Sequence, residues 1–111
     1  NHVAFSKMIP LGSVVTIEAK VSRAFKSSME VVMDIWIEDR ESGTRKKSNV
    51  GIYTFVAVDE SGQPVSVPAI IPESDLEKDR FEAALRRRQL SLVIAGKMDA
   101  SDATELKALF N

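Results

Sequence analysis

Apolar and polar positions alternate along the first half of the chain. From Gly12 to Ala24, Val15, Ile17, Ala19 and Val21 fall on one side and Thr16, Glu18, Lys20 and Ser22 on the other, the period-2 signature of a half-buried strand. Met29, Val31, Met33, Ile35 and Ile37 repeat the pattern. Glu30, Asp34 and Glu38 oppose them, with Val32 and Trp36 apolar on that same side, which predicts partial cover of the second face. Asp39–Thr44 is a predicted turn, with Gly43 able to supply positive φ. Asn49–Asp59 is nearly continuously apolar and predicts a third, central strand covered on both faces. Asp59–Gln63 turns again, so the three strands form an antiparallel meander.

The period then changes. Pro64, Pro68 and Pro72 exclude a helix and predict an edge or coil. Ser74-x-x-Glu77 is a capping box that opens a helix with Leu76, Phe81, Ala84 and Leu85 as its apolar stripe. Arg80, Arg86, Arg87 and Arg88 crowd its later turns, where cations complement the helix dipole, and Gly96 marks the stop. Asp102–Phe110 predicts a short second helix with Ala103, Leu106 and Phe110 on one face. A meander followed by helices is an α+β arrangement, and its sheet needs a long helix that these residues do not offer before the strands. With the interrupted alternation at Asn1-His2-Val3-Ala4-Phe5, this predicts a piece of a longer protein.

A length of 111 residues allows one domain, and a net charge of −1 supplies no basic field for nucleic acid or an anionic membrane. No apolar run approaches the roughly 18 residues needed to span a bilayer, and there is no signal-peptide pattern. Cysteine is absent, which removes disulfides, thiolate metal sites and a cysteine nucleophile. His2 is the single histidine and has no clustered partner for metal or triad chemistry. No nucleophile elbow, P-loop or dinucleotide fingerprint is present.

Three groups remain as candidates. Lys26-Ser27-Ser28-Met29 places two hydroxyls and their backbone N–H groups at a strand junction, which suits phosphate or amide oxygens but is also the composition of an ordinary hairpin turn. Arg86-Arg87-Arg88 can fork phosphate oxygens or simply form a solvated helix face. Glu30, Asp34 and Glu38 share a strand face, and a solvated or interface role is favoured over paired acid–base work.

Three stretches carry a family resemblance. They are Val21-Ser22-Arg23-Ala24-Phe25 into Ser27-Ser28-Met29-Glu30, Tyr53-Thr54-Phe55-Val56-Ala57-Val58-Asp59 with Gly62, and Val67-Pro68 through Pro72-Glu73 into Glu77-Lys78 and Arg80-Phe81. Together they resemble the acyl-coenzyme A (CoA) thioesterases of the hotdog fold, an antiparallel sheet around a long helix. The resemblance implies a thioesterase domain portion over residues 1–90 and a helical extension over 91–111. It implies hydrolysis of fatty acyl-CoA to fatty acid and CoA in the cytoplasm, without metal or cofactor beyond the CoA of the substrate. It also implies self-association as dimers or trimers of dimers, with CoA at a protomer interface. Ser27, Ser28 and Met29 match the CoA-contacting turn, Arg88 a basic position that reaches the phosphates, and Asn49 a position lining the site. The catalytic acid belongs to a helix expected before Asn1, where many relatives carry Asp, and Ala4 replaces the usual Asn, so no residue here is assigned that role. A non-catalytic acyl-CoA-sensing module and a structural assembly subunit, the latter using Val32 and Trp36 as an exposed interface, are the competing readings.

Overall fold

A computed structural model describes residues 9–99, 101 and 103. The expectations at Asn1, His2, Ala4 and Phe5, and most of the expected Asp102–Phe110 helix, lie outside the described residues. The chain divides into two units, Asn1–Pro68 and Ala69–Asn111, which are described separately.

The first unit is an antiparallel sheet of β1 (Val14–Ala24), β2 (Ser28–Glu38) and β3 (Arg45–Val56) in the order β1-β2-β3. The predicted meander is therefore present, with two differences. The central strand is β2; β3 lies at an edge of the described sheet, and its Val50, Phe55 and Val56 are exposed. The third strand also begins earlier than expected. Arg45, Lys46 and Lys47 are not loop but pair with Glu38, Ile37 and Trp36. Cross-strand charge pairing extends the strand across this polar run. Arg45 Nη2 reaches Glu18 Oε1 at 2.7 Å, and Lys47 Nζ reaches Asp34 Oδ1 at 2.8 Å. Both cations also lie over the Trp36 ring, at 4.6 and 6.0 Å from its centroid. A register shift between Ile35 and Trp36 leaves Ser48 as a bulge just beyond this cluster.

The first half of β1 is exposed on both faces, with Ile17 at 57%, so its apolar side is not half-buried as the alternation predicts. Burial concentrates instead on β2, where Val32 and Ile35, on opposite faces of the sheet, are each 3% exposed. Val32 is thus a core residue rather than part of an exposed interface patch.

The turns follow their chemistry. In the β2–β3 connection the Gly43 amide donates to the Asp39 carbonyl at 2.8 Å with Gly43 at φ 70°, a value that favours glycine. After β3, Asp59 Oδ1 accepts from the amides of Ser61 and Gln63 at 2.8 and 2.9 Å, and a bridge pairs Val58 with Pro64.

In the second unit, α1 spans Asp75–Ile94. Ser74 caps it: Ser74 Oγ accepts from the Glu77 amide at 3.1 Å, and Glu77 Oε1 accepts from the Ser74 amide at 2.9 Å. At the other end Gly96 and Lys97 donate to the carbonyls of Val93 and Leu92, the paired bonds of a Schellman ending. The helix runs through residue 90 without a break. It also continues well past Arg86–Arg88, and its last turn holds no basic residue. The expected complement of these arginines to the C-terminal dipole therefore does not arise, because the dipole's field is confined to the final turn.

Candidate functional site

The predicted CoA turn lies at the β1–β2 hairpin. Ala24 pairs with Met29, and the Phe25 amide donates to the Ser28 carbonyl at 2.8 Å, so Lys26 and Ser27 alone make the link. Two-residue hairpin links favour positive φ, yet no described non-glycine residue adopts it. Two outside bonds brace this turn. The Ala57 amide, just past β3, donates to the Ser27 carbonyl at 2.8 Å, and the Val67 amide donates to the Lys26 carbonyl at 2.9 Å. The proline-punctuated segment thus has a local function: extended backbone beside the turn holds the Lys26 carbonyl. Lys26 is exposed, Ser27 and Met29 are half-buried, and Ser28 is buried.

Immediately beside the turn, a register shift between Val21 and Arg23 makes Ser22 a bulge. Ser22 Oγ donates to Glu30 Oε1 at 2.6 Å and lies 3.2 Å from the Glu30 carbonyl oxygen. Ser22, Ser28 and Glu30 are 7%, 6% and 4% exposed, so buried polar groups gather at this end of the sheet. This changes the reading of the strand carboxylates. Glu30 is buried and hydrogen-bonded, and the Asp34 side chain is only 14% exposed and ion-paired, so neither is a freely solvated surface charge.

Asn49 is not brought to this turn within one chain. It pairs with Ile35, seven positions along β2 from Ser28, or about 23 Å at the rise of a strand. Its Oδ1 accepts from the Val50 amide at 2.8 Å. Arg88 is exposed on α1, in the second unit.

Two features escaped the sequence reading. At the end of the sheet away from the hairpin turn, a cleft of about 700 Å³ is lined by Ile37, Arg40, Lys46 and Ser48, among others. Near it, Trp36 Nε1 and Ser48 Oγ are buried without a hydrogen-bond partner among the described residues. No group of three or more His, Asp or Glu among the described residues could hold a metal ion. No described helix is long and apolar enough to cross a membrane.

Comparisons with known proteins converge on one family. Residues 1–44 match the thioesterase superfamily. Acyl-coenzyme A thioesterase 11 of Mus musculus is 39% identical over 95 residues, which covers 86% of this chain and 16% of that protein. The crystal structure of an apo-hexameric acyl-CoA thioesterase matches with a TM-score of 0.76 at 30% identity, covering 83% of this chain and 59% of that one. An acyl-CoA hydrolase from Staphylococcus aureus, solved with butyryl-CoA, CoA and CoA disulfide, matches with a TM-score of 0.70 at 34% identity, covering 95% of this chain and 63% of that one. The chain therefore spans less than two thirds of the length of each of these relatives. The structural neighbours are hotdog-fold thioesterases, and the meander followed by α1 corresponds to part of that fold. By sequence and by fold together, the chain is a relative of the acyl-CoA thioesterases of the thioesterase superfamily.

Proposed function

We propose that the chain is part of an acyl-CoA thioesterase, in which water attacks the thioester carbonyl, the acyl–sulfur bond breaks, and fatty acid and CoA leave. The braced turn at Lys26–Ser27 carries this reading. Its backbone is pinned through the Lys26 and Ser27 carbonyls, in a sheet whose relative from Staphylococcus aureus was solved with CoA bound. Ser27, Ser28 and Met29 form the CoA-contacting turn, and CoA is part of the substrate rather than a cofactor. Arg88 supplies a guanidinium for its phosphates. Asn49, about 23 Å from the turn along the sheet, joins the site from a second protomer. In this reading the protomers associate as a dimer or trimer of dimers, which the hexameric relative supports. The proposed compartment is the cytoplasm. No catalytic residue is assigned.

The test is thiol release from short-, medium- and long-chain acyl-CoA, with direct CoA binding measured in parallel. Turnover that falls on Ser28→Ala or Arg88→Ala supports the reading. Saturable CoA binding without turnover fits either the binding portion of a thioesterase or a non-catalytic acyl-CoA-sensing module, and absence of both overturns the reading.

A further inference from the structure

We propose that the buried Ser22–Glu30 hydrogen bond is a positioning device for the CoA turn, acting through the bulge in β1. The proposal rests on the acyl-CoA reading above and gives roles to Ser22 and Glu30, which lie outside the Lys26–Met29 turn itself.

A carboxylate side chain taken out of water is expensive to keep unless its oxygens are hydrogen-bonded. Glu30 is 4% exposed and receives a 2.6 Å bond from a hydroxyl that is itself 7% exposed. Ser22 is the extra residue of the β1 bulge, so this bond fixes the irregular residue and not one of the ladder positions. A bulge bends its strand and increases its local twist, and so re-aims the backbone beyond it. Here the re-aimed segment, beginning three residues on, is Phe25 and the Lys26–Ser27 link.

That link needs such help. Without positive φ at Lys26 and Ser27, a two-residue connection does not match the right-handed twist of its strands. The extra twist from the Ser22 bulge supplies local compensation, and Glu30, two residues after Ser28 on β2, locks it from the other strand. With the turn so aimed, its carbonyls meet the amides of Ala57 and Val67. Two sets of bonds thus flank Lys26–Ser28: Ser22 to Glu30 on the strand side, and the Ala57 and Val67 amides to the turn carbonyls on the other. Ser22 and Glu30 need not touch CoA for its binding to depend on them.

The test uses the whole chain, with CoA as probe, and compares wild type with Ser22→Ala and Ser22→Thr. CoA affinity is measured by titration calorimetry and backbone protection by hydrogen exchange. Losing this buried hydrogen bond, and leaving its acceptor without that donor, is expected to weaken CoA binding about tenfold in Ser22→Ala. Amide exchange is expected to speed up at Ala57 and Val67 but not at Ile35 in mid-sheet. Ser22→Thr, which keeps the hydroxyl, restores both. Ser22→Cys, nearly isosteric with a weak donor, serves if Ser22→Ala does not fold, and is expected to show the same pattern at smaller amplitude. Wild-type affinity in Ser22→Ala overturns the proposal while leaving the acyl-CoA reading intact. So does uniformly faster exchange across the sheet with unchanged affinity, the mark of a merely structural bond. A wild-type chain that binds no CoA overturns the acyl-CoA reading itself, and this proposal with it, before any variant is compared.

Discussion

Replacing Val32 with alanine separates a core residue from an exposed contact patch. Val32 is 3% exposed in the central strand, opposite Ile52 on β3 and Lys20 on β1. The substitution removes two methyl-sized groups, each worth about 0.8 kcal/mol of transfer free energy. The packed surroundings collapse only partly, and the lost β-branch disfavours the strand, which brings the expected loss to about 2–3 kcal/mol. For a domain of this size that is a fall in Tm of about 10 °C. Val14→Ala provides the control, because Val14 is 44% exposed at the start of β1, and its expected loss is below about 1 kcal/mol. Urea unfolding followed by circular dichroism, with the slope compared between variants, measures both. Equal losses for the two, or a Val32→Ala loss under about 0.5 kcal/mol, refute the burial assignment and revive the reading of Val32 as an interface residue.

Other variants test the local chemistry. Gly96→Ala forces an L side chain to φ 72° with nothing within 4 Å of the new Cβ, so the cost is purely conformational, about 1 kcal/mol in thermal unfolding. Ser74→Ala removes half of the capping box and is expected to cost about 1 kcal/mol and lower the helical circular dichroism signal. Lys47→Met deletes an ion pair to Asp34 from a lysine whose side chain is 40% exposed; solvent screening limits the loss to about 0.5 kcal/mol, and the difference from wild type shrinks as salt rises to 1 M. A Lys47→Met loss that is large and independent of salt contradicts that assignment.

How far the sequence could be read depends on which physical signal each residue leaves. The Ser74–Glu77 box and the Gly96 stop are local, complete within a few residues, and both ends of α1 follow from them. The hairpin turn at Lys26–Ser27 is likewise set between two alternating runs. Arg45–Lys47 left no strand signal, since their partners are Glu18, Asp34 and Trp36, distant in sequence. Alternation also shows which residues share a face but not which face is covered. Glu30 and Asp34 therefore read as a solvated or interface face, although Glu30 is buried against Ser22. For the same reason, the continuous apolar run from Val50 to Val58 pointed to a central strand, whereas β3 stands at the edge of the described sheet. A bulge such as Ser22 or Ser48 depends on the register of two strands, which a single strand's sequence does not encode.

In the proposed function the Lys26–Met29 turn contacts CoA. The direct measurement is a titration of the isotope-labelled chain with CoA, followed by amide chemical shifts. Saturable shifts are expected to centre on Lys26, Ser27, Ser28 and Met29, with those at Ala57 and Val67 following through their bonds to the turn. Ser28→Ala should weaken the titration about tenfold. Shifts confined to the distant cleft around Arg40 and Lys46, or no saturable shifts at all, would contradict it.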